Sequence, residues 1–61
     1  MKGFILLHTL KNEEFICNLS KVVYIGPGKV GSVIYFDEFS EYTVKESLTE
    51  ILKLLTDKNL Y

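Results

Sequence analysis

The chain carries one histidine, His8, and one cysteine, Cys17. A histidine can serve as general base or metal ligand near neutral pH. A thiolate can serve as a nucleophile. Neither residue has the company that such chemistry needs. No Ser, Cys or acid stands at a recognisable motif spacing from His8, which closes the apolar run Phe4-Ile5-Leu6-Leu7. It reads as a core-edge or interface histidine rather than a catalytic one. Cys17 lies between Ile16 and Asn18 in an extended stretch, with no electropositive setting or helix N-terminus to activate it, and reads as a packed, inert thiol. One Cys and one His cannot close a structural zinc site, which takes four ligands. A lone cysteine also forms no intramolecular disulfide.

Three further groups carry chemical potential. Gly26-Pro27-Gly28-Lys29-Val30-Gly31 has the first spacing of a phosphate-cradling loop. However, Ser32 follows Gly31 where Lys is required, and the next residues read as a strand, so no helix dipole would meet a phosphate. The segment reads instead as a strand connection, at most an interaction loop. Tyr24, Tyr35, Phe36 and Tyr42 fall on neighbouring predicted strands and could form a base-stacking platform; packing is the commoner use of strand aromatics. Glu13-Glu14, Asp37-Glu38 and Glu41 cluster at predicted turns, where a cation could be held, although solvated turn acids are far commoner. We therefore assign no catalytic, cofactor-binding or metal-binding residue and expect no cofactor. The candidate interaction surface is Gly26, Pro27, Gly28, Lys29, Tyr24 and Tyr35.

The elements that position these residues follow from local pattern. Apolar runs rich in β-branched and aromatic residues predict strands over about 3–10, 14–18, 21–26, 32–36 and 41–44. Lys11-Asn12-Glu13 breaks the first two runs into a hairpin, with Asn12 able to take positive φ. Asn18-Leu19-Ser20 is a corner. Ser47-Leu48-Thr49-Glu50 has the capping-box pattern and opens a helix over about 48–58, with Asn59 suited to the left-handed closing position. Leu48, Ile51, Leu52, Leu54 and Leu55 occupy one helical arc of about 160°. Residues 1–61 thus read as a single small α+β domain: an antiparallel five-stranded meander or partly closed barrel with one C-terminal amphipathic helix. One helix cannot cover both faces of such a sheet, so the other face must curl on itself or meet a partner.

Size and charge narrow the function class. A chain of 61 residues buries only about 60% of its unfolded surface and needs reinforcement. With disulfide and metal removed, self-association is the expected remedy, and the 48% apolar content agrees. All 7 basic residues are lysines and the net charge is −1. Nucleic-acid binders favour Arg and a basic balance, so single-stranded nucleic acid is the second reading, after a protein partner. The apolar run at Phe4–Leu7 is too short for a signal peptide and no stretch approaches the roughly 20 residues of a membrane span. The expected location is cytoplasmic, with no membrane partner.

The segments FILLHTLKNEEFICN, NLSKVVYI, SVIYF and YTVKESLTEILKLL, in that order, resemble the small FlbD-like family of flagellar FlbD and swarming-motility SwrD proteins and their bacterial or phage relatives. The matching positions are Asn12, Asn18, Ile25, Val44, Lys45, Glu46 and Ser47. The resemblance spans roughly residues 4–56 and is sharpest from Tyr42 to Ser47 and into the helix. Glu13 stands where the family has Gly, and the Gly26–Gly31 stretch is longer than its usual link. The family has no catalytic residues to carry over, and the resemblance implies a small cytoplasmic accessory protein.

Overall fold

The computed structural model describes residues 3–37 and 39–61; Glu38, one of the turn acids, and Met1 and Lys2 lie outside them. The elements are β1 (Phe4–His8), β2 (Glu14–Asn18), a single turn of 3-10 helix (Leu19–Lys21), β3 (Tyr24–Pro27), β4 (Ser32–Tyr35), β5 (Glu41–Val44) and α1 (Leu48–Thr56). The fold is α+β, but the five strands do not form one meander or barrel. They form two antiparallel sheets, β1-β2 and β3-β4-β5. The break falls at Asn18-Leu19-Ser20, where the Asn18 side chain accepts from the Ser20 N–H at 3.0 Å and its hydroxyl at 2.7 Å. This cap winds the chain into the 3-10 turn and delays the third strand from the predicted residue 21 to Tyr24.

Each sheet buries one face, as a period of two requires. Ile5, Leu7 and Cys17 from the first sheet meet Ile34, Val44 and Ser32 from the second, and Ile51 of α1 completes the core. The two sheets therefore cover each other, so the face expected to be left open is largely answered within the chain. Helix α1 contributes less cover than its apolar arc promised. Ile51 is buried and Leu54 and Leu55 pack half-buried against the core, while Leu48 and Leu52 are exposed. A 160° arc is wider than the strip that two small sheets present to one helix.

The hairpins hold their predicted turns with one difference. Asn12 takes φ 67°, as its side-chain type allows. Gly26 ends the expected strand and Pro27, expected in a loop, continues β3; they pair with Val33 and Ser32. Pro27 lies one residue before the Gly28 N–H to Gly31 carbonyl bond, so alternation turns its missing N–H away from β4. The turn proper is Gly28 to Gly31. Gly31 has φ 71°, and a Cβ there would collide with the carbonyl oxygens of Val44 and Lys45.

Helix α1 begins with the predicted capping box: Glu50 N–H to Ser47 Oγ at 3.2 Å and Ser47 N–H to Glu50 Oε1 at 3.0 Å. It ends two residues before the predicted Lys58. Lys58, not Asn59, takes the left-handed conformation, with φ 58°. The N–H groups of Asn59 and Lys58 return to the carbonyls of Leu54 and Leu55 at 3.0 and 3.2 Å, which is the Schellman closure. The chain then runs back along β1. Tyr61 exchanges main-chain hydrogen bonds with Phe4 at 3.0 and 2.8 Å, and Leu60 bridges Ile5.

Three substitutions test this backbone. Gly31→Ala should lower stability by more than about 1 kcal/mol, whereas Gly3→Ala, with open space around it, should leave the thermal midpoint unchanged. Lys58→Gly should raise stability by up to about 1 kcal/mol, because a side chain at the left-handed closing residue is strained. Denaturant melts of the three variants beside the parent measure both effects.

Candidate functional site

Two surfaces concentrate the residues of interest. The first is the outer face of the β3–β4 hairpin. Tyr24 and Tyr35 stand directly opposite each other. Their rings stack with centroids 4.3 Å apart and planes 18° from parallel. Both rings lie across the bare backbone of Gly26, their Cε2 atoms 4.0 and 3.5 Å from where a Cβ would stand. Without a side chain at Gly26, the stack can settle onto the sheet. Val23 and Asp37 flank it, and a shallow depression of about 470 Å³ opens between these four residues. Val23 is 66% exposed and Tyr24 57%. Pro27 and Lys29 are exposed toward the tip of the same hairpin. The predicted interaction residues thus occupy one hairpin, with the tyrosines as its apolar shelf and Lys29 at its turn.

The broader aromatic platform does not form. Tyr42 pairs with Ile34, whose side chain is buried, so alternation sends Tyr42 to the inner side, away from Tyr35. There its ring meets Phe15 edge-on at 5.5 Å. Phe36 packs against the core. Only two of the four aromatics share the outer face, and each spends one ring face on the other.

Asp37 shapes the neighbouring turn. Its Oδ1 accepts the N–H groups of Phe39 and Ser40, both at 2.7 Å. These hydrogen bonds hold the exposed carboxyl below its ordinary value. Among the described residues, no group of three or more His, Cys, Asp or Glu side chains lies together as a metal site would require.

The second surface surrounds His8. Strand β1 turns alternate backbone groups away from β2, and Phe4, Leu6 and His8 face that far edge. Phe4 is met by Tyr61, and the His8 carbonyl accepts the Lys45 N–H at 2.9 Å. Glu46 then reaches His8 twice: Oε1 accepts the main-chain N–H at 3.0 Å, and Oε2 lies 2.6 Å from Nδ1. Because a carboxylate only accepts, Nδ1 carries the proton of this bond. The next residues along are also committed. The Ser32 hydroxyl donates to the Glu46 carbonyl at 2.8 Å, and Lys45 Nζ reaches Asn12 Oδ1 at 2.9 Å. Beside this junction lies an open groove of about 530 Å³, bounded by Leu6, His8, Glu46, Leu54 and Tyr61 among others.

Sequence reading missed the His8–Glu46 pair. The partners are 38 positions apart, and no spacing rule connects a strand histidine to an acid before a helix cap. A histidine oriented by a carboxylate is half of a proton-transfer device. Neither Cys17 nor Ser47 is free to supply the other half. Cys17 points into the core, where burial raises its thiol pKa, and Ser47 is committed to the helix cap. No helix is long and apolar enough to cross a membrane among the described residues. No family model, curated protein or solved structure matches the chain.

The junction has a pH signature. Burial pushes the Glu46 carboxyl up, but the hydrogen bonds from the ring and N–H of His8 outweigh it and hold the group below its ordinary value of 4.5. A depressed carboxyl stabilises the fold above the ordinary glutamate range, and that contribution is lost as pH falls through the folded-state value. Glu46→Gln should therefore cost about 1–2 kcal/mol at neutral pH. The gap between parent and variant should narrow below about pH 4.5; urea melts at a series of pH values would show a constant gap if the pair were unimportant.

Proposed function

We propose that the chain is a small, non-enzymatic protein-interaction module that self-associates. The observation that carries this reading is the amount of large apolar surface left in the open on each layer. Ile16 on the first sheet is 59% exposed and Leu52 on α1 is 64% exposed, in addition to Val23 and Tyr24 on the hairpin shelf. A chain of this size has little core to spare, and neighbouring exposed apolar side chains such as Val23 and Tyr24, which line one depression, are a mark of interaction sites. The chemistry-bearing residues support the same reading by being occupied: the histidine joins two sheets, the cysteine packs and the serines cap or brace. The FlbD-like resemblance implies a small accessory protein, with no catalytic residues to carry over.

A role in binding single-stranded nucleic acid is weaker. Base stacking needs free ring faces, and Tyr24 and Tyr35 use one each on the other. The absence of Arg and the net charge of −1 also oppose it.

Sedimentation equilibrium at rising concentration should give a mass above the 7.0 kDa of one chain. Titration of labelled single-stranded RNA and DNA at low salt should give no binding at micromolar protein. A strict monomer that instead binds RNA, with affinity falling as salt rises, would replace this reading with the nucleic-acid one.

A further inference from the structure

Resting on the self-association reading, we infer that the seam between copies is the free edge of β2, paired antiparallel with the same edge of a second copy and centred on Ile16. The other strand edges are closed or blunted. The far edge of β1 is met by Tyr61 at one end and Lys45 at the other. The free edge of β3 carries Pro27, which has no N–H to offer, and α1 lies against that strand. Strand β5 carries Glu41 on its outer side and runs into Lys45, whose N–H is bound to His8.

Strand β2 carries one acid, Glu14, at its end as β5 does, but it has no Pro, and among the described residues no main-chain partner closes its outer edge. Among the described residues it pairs only with β1. Cys17 and Phe15 lie opposite the buried Ile5 and Leu7, and alternation turns the N–H and C=O of Glu14 and Ile16, and the N–H of Asn18, away from β1. Among the described residues these groups have no main-chain partner in another element. No Pro or Lys interrupts the sequence Glu14-Phe15-Ile16-Cys17-Asn18, so only the Glu14 charge at its end blunts the edge.

The strand is also complementary to itself. A two-fold axis at Ile16 places Ile16 against its copy and Glu14 against Asn18 of the second chain. The exposed isoleucines cover each other. The Glu14 carboxylate meets an amide whose oxygen is already held by Ser20, leaving its NH2 free to donate. No like charges face each other across the seam, which a register shifted toward Glu14 would bring about. An unrelated strand could satisfy the same backbone groups, but this internal match of side chains selects a second copy. The strands are five residues long, so the dimer is weak and forms at high concentration.

Cysteine crosslinking tests the register. Directly opposed, hydrogen-bonded residues of an antiparallel pair have Cα atoms about 5.5 Å apart, within disulfide reach. Under mild oxidation at millimolar protein, Ile16→Cys should crosslink to itself at least tenfold faster than Val30→Cys or Leu52→Cys, whose parent residues are as exposed, at 62% and 64%. The buried Cys17 stays in place, and the parent protein sets the background. Independently, Ile16→Lys should weaken association at least tenfold by sedimentation, with its circular dichroism and thermal midpoint unchanged. Equal crosslinking at all three positions, or undiminished association of Ile16→Lys, would overturn the seam while the parent's dimeric mass upheld self-association. A parent protein monomeric at millimolar concentration would overturn both.

Discussion

The fold depends on three residues, Lys45 to Glu46 to Ser47. The Lys45 N–H closes the end of β1, and the Glu46 carboxylate holds His8 by main chain and ring. The Glu46 carbonyl takes the hydroxyl of Ser32, a fully buried polar group on the second sheet. Ser47 then caps α1. One tripeptide therefore ties the first sheet to the second and aims the helix. The helix in turn delivers Leu60 and Tyr61 to the start of β1. A buried polar connection of this kind is costly if half satisfied. Here every buried side-chain polar atom among the described residues has a partner.

The local elements were legible because their causes are local. The capping box is four consecutive residues, and both of its hydrogen bonds form. Asn12 marks its turn by side-chain type alone. Strands β2 and β5 fall within their expected bounds because charged or turn-forming residues flank them. The split into two sheets was not legible, because it depends on how the Asn18 side chain meets Ser20 and not on any apolar period. The left-handed position at Lys58 was hidden for a related reason. The closure is fixed by which carbonyls Leu54 and Leu55 leave free, and residue type only biases it.

The candidate site divides in the same way. The tyrosine shelf could be anticipated, since two aromatics on adjacent strands flank a Gly-rich turn. That the rings would stack on each other, over Gly26, follows from register, which composition does not reveal. The His8–Glu46 pair could not be anticipated at all. The residues Asn12, Asn18, Val44, Lys45, Glu46 and Ser47 are all engaged in the architecture around it. Asn12 holds Lys45 Nζ, Asn18 winds the 3-10 turn, Val44 is core, and the last three are the tie described above. Each of these six has an architectural task in this fold.

The length of that tie has a consequence for how the chain comes together. Each hairpin closes over a few residues, and such contacts form early and fast. The tie joins positions 38 apart and cannot form until most of the chain is present. During synthesis the β1–β2 hairpin therefore waits, its apolar inner face and the far edge of β1 both uncovered, until Glu46 emerges. Within that interval the nascent chain leaves open the far edge of β1, which Tyr61 and Lys45 meet in the finished fold. The order of emergence from the ribosome, rather than the final energy, sets how long a newborn copy is open to the wrong neighbour.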